Sequence, residues 1–172
     1  MTYDIPTITT ERLTLRAPTK ADFVPYAEIF ASDRSIYMDG PLDREDAWHG
    51  FAADIVGWQI LGFGYWSVDE NSTDDFVGFV GFAKPPVYPE RELGWMVTPQ
   101  SEGRGYAHEA ALAARKFAYD TLGWSTLVSY IDHKNARSIK LAERLGCTRD
   151  DAAVQLAAGA YVYRHPSPEV LQ

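Results

Sequence analysis

The chain has 172 residues, 46% hydrophobic and 23% charged, the proportions of one soluble globular domain with a full core. Twenty-four acidic residues against 16 basic ones give a formal charge of −8. That argues against a broad basic surface for nucleic acid and is compatible with a cationic acceptor. A single cysteine, Cys147, excludes an internal disulfide and makes a reducing cytoplasm the expected setting.

The N-terminus, Met1-Thr-Tyr-Asp-Ile-Pro6, has no basic region followed by an apolar one, so no secretory leader is expected. Leu13 and Leu15 alternate with Thr14 and Arg16 as a first strand, which Pro18 ends. Thr19 with Asp22 three residues on predicts a helix start, followed at helical spacing by Phe23, Tyr26, Ala27 and Phe30. Asp43 is placed to cap a second helix carrying Ala47, Phe51 and Ile55, against the grain of Gly50 and Gly57. The apolar stretch from Ile55 to Trp66 is too short to span a bilayer and holds three glycines, so no membrane association is expected. Residues 63–68 and 76–82 read as two strands of a hairpin around the polar turn 69–75. Residues 91–97 form a further strand, stopped by Pro99. Ala110, Ala113, Ala114, Phe117 and Ala118 then make one helical stripe, ended by Leu122-Gly123. A strand follows over 127–131. Asn135 caps a short helix burying Ile139, Ala142 and Leu145, and Gly146 closes it. After weak periodicity over 150–159, residues 159–165 read as a final strand, and 166–172 as a loose tail. The order predicts one α+β domain over 1–172, with a mixed, mostly antiparallel sheet flanked by helices.

The densest signal lies at residues 100–107, Gln-Ser-Glu-Gly-Arg-Gly-Tyr-Ala, between the strand and the alanine-rich helix. Glycines let the backbone approach a phosphate, and the helix N-terminus offers free N–H groups and a positive dipole end. The Lys-Ser/Thr pair of a nucleotide P-loop and the dinucleotide fingerprint are both missing, which removes a nucleotide-phosphate enzyme. The Gln100-x-x-Gly103-x-Gly105-x-Ala107 loop resembles the acetyl-CoA pyrophosphate loop of the GNAT superfamily of N-acetyltransferases. Thr10-Glu-Arg-Leu-Thr-Leu-Arg-Ala-Pro-Thr-Lys-Ala-Asp22 resembles the first strand and helix start of the subgroup containing the ribosomal-protein N-terminal (Rim-type) acetyltransferases. Asn135-Ala-Arg-Ser-Ile-Lys-Leu-Ala-Glu-Arg-Leu-Gly146 resembles that subgroup's last helix. The three segments lie in family order.

The resemblance implies a sheet splayed between its fourth and fifth strands, with acetyl-CoA as co-substrate in the gap. It assigns the pyrophosphate to the backbone of Gly103, Arg104, Gly105, Tyr106 and Ala107. It assigns the pantetheine arm to the backbone of Met96 and Val97, with the Met96 N–H as oxyanion donor. Asn135 would meet the pantetheine amides and Ser138 the sulfur; both residues also read as an ordinary cap and first helical turn. Glu92, at the start of that strand, is the candidate general base, with a surface glutamate as the plain alternative. His49, His108 and His133 are weaker candidates. No metal site is expected.

Many members of the family carry a tyrosine seven residues after this asparagine, as the acid for the departing thiolate; here that position is Ala142. Ser138 or a water is then the expected donor. Trp48, Trp58, Tyr65 and Trp66 enter the half of the chain that builds the acceptor cleft, each also a candidate for plain core packing. Cys147 reads as a small buried hydrophobe. The function expected is transfer of acetyl from acetyl-CoA to a primary amine, a protein N-terminal α-amine or a small-molecule amine, directly within a ternary complex. The alternative is a non-catalytic acyl-CoA sensor or interaction domain on the same fold. The sequence leaves the amine and the oligomeric state open, a homodimer included.

Overall fold

The computed structural model describes residues 4–171, so Met1–Tyr3 and Gln172 lie outside the described residues. A two-residue β1 (Ile8–Thr9), not anticipated, pairs antiparallel with β2 (Leu13–Arg16). Leu13 and Leu15 are fully buried and their neighbours are not, the alternation the sequence predicts. Thr19 and Asp22 form a reciprocal capping box on a 3-10 turn (Lys20–Asp22), which runs into α1 (Phe23–Phe30). Asp43 caps α2 (Arg44–Leu61) by accepting the Asp46 N–H at 2.9 Å. Gly50 does not break that helix; a Cβ there would stand 2.9 Å from the Tyr26 hydroxyl, so the glycine lets α1 and α2 close together.

Then come β3 (Tyr65–Glu70), β4 (Phe76–Ala83), β5 (Glu92–Val97), α3 (Tyr106–Asp120), β6 (Val128–Asp132), α4 (Ala136–Arg144), β7 (Thr148–Arg149) and β8 (Ala160–Arg164). The eight strands make one sheet in the order β1-β2-β3-β4-β5-β6-β8-β7. Every neighbouring pair is antiparallel except β5 with β6.

Successive strand residues face opposite sides, so β5 serves two cores. Leu93 joins Val80, Ala114 of α3 and Ala142 of α4 in one buried cluster. Met96 joins Phe79, Tyr26 of α1 and Phe51 of α2 in the other. A polar knot ties α1 to the sheet: Asp22 accepts from the Arg16 guanidinium at 2.8 and 2.9 Å, the Thr19 N–H at 2.6 Å and the Ser67 hydroxyl at 2.9 Å. Burial alone would raise the Asp22 carboxyl; those donors outweigh it and hold it below its ordinary value.

Candidate active site

The site is built where β5 and β6 part. Their ladder holds at a single register pair, Glu92 with Val128, where the Val128 N–H donates to the Arg91 carbonyl at 3.1 Å. Beyond it, side chains replace the missing backbone rungs. The Ser129 hydroxyl donates to the Leu93 carbonyl at 2.6 Å, and the Tyr130 N–H donates to the Glu92 carboxylate at 3.3 Å. These are the fourth and fifth of the strands anticipated from sequence, and they splay as the resemblance implies.

The ladder also fixes which backbone groups of β5 face the opening. The Thr98 N–H donates to Val77 of β4, and Met96 is in register with Phe79, so the Met96 main chain points into β4. The Arg91 and Leu93 carbonyls point to β6. By the same parity, the N–H and C=O of Trp95 and Val97 face the gap. This corrects the expectation for Met96: its side chain lines the cleft, but its N–H is turned away from it.

A cleft of about 460 Å3 runs from this gap between the N-terminal ends of α3 and α4. Gly103 and Gly105 adopt left-handed φ of 71° and 80°, and Gly105 is the N-cap of α3 with no side-chain cap. A Cβ on Gly103 would meet nothing within 4 Å, and one on Gly105 only Arg12 at 3.5 Å. The backbone N–H groups of Gly103, Gly105, Tyr106, Ala107 and His108 find no acceptor among the described residues. Open space, unpaired N–H donors and a helix dipole in one place fit a pyrophosphate. Arg104 contributes backbone only: its guanidinium is paired with Glu70 at 3.1 and 3.2 Å and lies over the Tyr106 ring.

Across the cleft, the Asn135 side-chain oxygen accepts the Ser138 N–H at 3.2 Å, so the cap expected from sequence is formed. Its amide nitrogen has no partner among the described residues, which leaves it able to meet a further polar group. The Ser138 hydroxyl accepts a long 3.4 Å hydrogen bond from the Trp95 indole and keeps its own proton to donate. Ala142 is fully buried in the core under α4 and is not on the cleft wall.

On the α1–α2 side of the sheet, Glu92 and Asp54 are both half-buried and close enough to act on each other's charge. Burial pushes the Glu92 carboxyl up to about 7, against the pull of the Tyr130 N–H and with a further push from Asp54. Burial likewise pushes Asp54 up to about 7, with the Tyr26 hydroxyl bonded to it at 3.2 Å. A carboxylate that titrates near neutrality is suited to general-base work.

A family model described as an acetyltransferase (GNAT) domain matches residues 12–148. The chain belongs to the GNAT acetyltransferase family. Among solved structures, an acetyltransferase from Agrobacterium tumefaciens str. C58 is 42% identical, with 96% of this chain and 97% of that one covered and a TM-score of 0.91. A structure of a putative ribosomal-protein-serine acetyltransferase from Vibrio cholerae is 23% identical, covers 96% of this chain and 100% of that one, and has a TM-score of 0.72. Among curated relatives, the uncharacterized N-acetyltransferase YnaD of Bacillus subtilis (strain 168) is 26% identical over 146 residues, 83% of each chain.

This GNAT enzyme takes acetyl-CoA as its acetyl donor, and the open glycine positions and unpaired N–H groups above fit that ligand. Several residues at the cleft carry no sequence signal. Glu102 accepts from Arg34 at 2.7 Å and from Arg137 at 2.6 Å through one oxygen, joining opposite walls, and Arg34 also donates to the Val97 carbonyl at 3.2 Å. Ser129 and Trp95 matter only through the register that places them. Of the aromatics considered for the acceptor side, Trp58 and Trp66 are fully buried core. Trp48 packs on Phe23 and Phe51. Tyr65 reaches the β5 strand at Gly94. His108 bonds the Arg144 carbonyl at 3.3 Å, and His133 bonds Gly159 at 3.1 Å. Cys147 is buried, and that burial pushes its thiol up to about 12, as befits a small hydrophobe.

Proposed function

We propose that the enzyme acetylates a primary amine, a protein N-terminal α-amine or a small-molecule amine, by direct transfer within a ternary complex. The observation that carries this reading is Glu92, a carboxylate lifted to about 7 at the point where β5 and β6 part. It would take the proton of the attacking nitrogen while the Trp95 N–H, on the open side of β5, receives the developing oxyanion. Gly103, Arg104, Gly105, Tyr106 and Ala107 would hold the pyrophosphate, Val97 and Asn135 the pantetheine arm, and Ser138 would stand by the sulfur. A Rim-type acceptor has support from fold likeness to the Vibrio cholerae ribosomal-protein-serine enzyme. A polyamine has equal support from likeness to a spermidine N-acetyltransferase of the same organism, at 15% identity.

Ala142 favours a second reading, an acyl-CoA sensor without turnover. A thiol-release screen with acetyl-CoA across α-amine peptides, polyamines, amino acids and aminoglycosides separates the two. Release above background with one class is expected. Acetyl-CoA binding with no release on any amine would establish the sensor instead.

A further inference from the structure

Tyr65 begins β3, two strands away from β5, yet its hydroxyl arrives at Gly94. Tyr65 is in register with Gly81 of β4, and Gly81 with Gly94 of β5. With no side chain on either glycine, the tyrosine ring crosses β4 along the sheet surface. A Cβ added to Gly94 would lie 2.1 Å from the Tyr65 hydroxyl and 3.1 Å from the ring carbon that bears it. The Gly94 position is therefore filled by a hydroxyl group delivered from another strand. The Trp58 indole holds the Tyr65 carbonyl at 2.9 Å, which fixes the start of the ring's path.

On that face of β5, Gly94 is the next position after Glu92, since residues two apart share a face. It also adjoins Trp95, whose N–H faces the gap. On that face the hydroxyl thus stands between Glu92 and Met96, and Met96 lines the cleft. No protein group hydrogen-bonds it among the described residues, and burial first, then the Glu92 charge, push the phenol well above its ordinary pKa, so it holds its proton to donate. The neighbouring Tyr26 hydroxyl, by contrast, is taken up by Asp54. A phenol both donates and accepts a hydrogen bond, so it can pass a proton on without changing charge.

Resting on the function proposed above, we propose that Tyr65 is a catalytic residue that carries the proton from Glu92 to the departing coenzyme A thiolate, the task left open by Ala142. The amine lone pair forms the C–N bond, and the C–S bond breaks with its pair on sulfur. The amine proton goes to Glu92. Tyr65 gives its O–H proton to sulfur and regains one from Glu92. The products are the acetamide and the free thiol, and both side chains end as they began. The direction is favourable, because a thiol has a pKa of about 8.5 and binds the proton more tightly than a carboxyl does.

The test is steady-state kinetics of Tyr65→Phe, Gly94→Ala and Ser138→Ala beside the wild type. Transfer to the best amine and slow hydrolysis of acetyl-CoA are both followed by thiol release, with melting curves as the control for folding. Tyr65→Phe should lower kcat by roughly 10²-fold, the low end for one proton donor. KM for acetyl-CoA and for the amine should stay within about twofold, and hydrolysis should fall in step, since water as acceptor also leaves a thiolate. Gly94→Ala keeps the phenol but displaces it, and should reproduce the loss. Ser138→Ala should have the smaller effect on kcat.

An unchanged kcat in Tyr65→Phe overturns the assignment. A raised KM for the amine with kcat intact also overturns it, making Tyr65 an acceptor contact. A larger kcat loss in Ser138→Ala than in Tyr65→Phe gives the proton to Ser138. A wild type that neither transfers nor hydrolyses would overturn the proposed function itself, and the inference with it.

Discussion

Replacing Glu92 by glutamine should make the protein more stable and the enzyme slower, and the first effect should depend on pH in a calculable way. Burial pushes the folded-state carboxyl from its ordinary value of 4.5 up to about 7. The unfolded chain therefore gives up the proton first as pH rises. Below about 4.5 both states hold it and there is no effect. Between about 4.5 and 7 the folded state loses stability at roughly 1.4 kcal/mol per pH unit, and above about 7 the loss is complete. The full shift corresponds to about 3 kcal/mol, of which about 2.5 falls between pH 5 and pH 8. Glu92 is half-buried and Asp54 is coupled to it, so solvent screening and the partner's own proton reduce this to roughly 1–2 kcal/mol. Glutamine keeps an oxygen for the Tyr130 N–H and carries no charge. In a domain of this size each kcal/mol moves Tm by about 2–4 °C. Calorimetry at about pH 5 and pH 8 should therefore show the Tm of Glu92→Gln, relative to wild type, rising by roughly 2–8 °C between them. Thiol release at neutral pH should fall at the same time, with partial recovery at high pH as the amine loses its own proton. A Tm difference that does not change with pH, or a variant less stable than wild type at pH 8, would refute the account of a buried, strained carboxylate.

The cofactor loop and the buried alanine give two further expectations. Gly105→Glu puts a side chain and a negative charge where φ is 80° and the N–H groups of α3 are unpaired. Acetyl-CoA at a hundredfold excess over its Kd protects a binding protein by about 2.7 kcal/mol. Thermal-shift measurements should find that protection in the wild type and lose it in the variant. Gly105→Ala serves as the control for backbone strain alone, about 1–2 kcal/mol. Ala142→Tyr would install the acid that the family resemblance implies at this position, but Ala142 is fully buried in the core with α3 and the sheet. Overpacking should cost about 1–3 kcal/mol in denaturant melts, with no gain in turnover.

Local chemistry was legible in the sequence wherever it is settled within a few residues. The Asn135 cap, the Asp43 cap, the Thr19–Asp22 box and the left-handed glycines before α3 all follow from side chains or φ preferences at fixed short offsets. What depends on register was not legible. Whether Met96 or Trp95 presents its N–H to the gap turns on which β4 residue each faces, and a shift of one residue reverses the answer. The path of Tyr65 needs two glycines on two other strands, aligned by pairings that no local pattern encodes. The β1 and β7 strands are two residues long, too short for any period to appear. The Glu102 bridge joins residues far apart in the chain.

The parting of β5 from β6 has a mechanical consequence. It divides the chain in sequence as well as in space: β1 to β5 with α1 to α3 come before it, and β6 to β8 with α4 after it. At one end of the gap the two parts are stitched by Glu92, Leu93 and the Glu90–Arg164 pair at 2.8 Å. At the other end the Glu102–Arg137 bridge, the Trp95–Ser138 contact and the His108–Arg144 hydrogen bond cross the cleft. A ligand lying along the open edge of β5 would complete a row of rungs that the polypeptide leaves unfinished. The shared core beneath α3 and α4, with the Arg115–Leu145 bond at 2.6 Å, already joins the two parts, so a ligand in the gap would brace its open end and leave the rest of the sheet as it is.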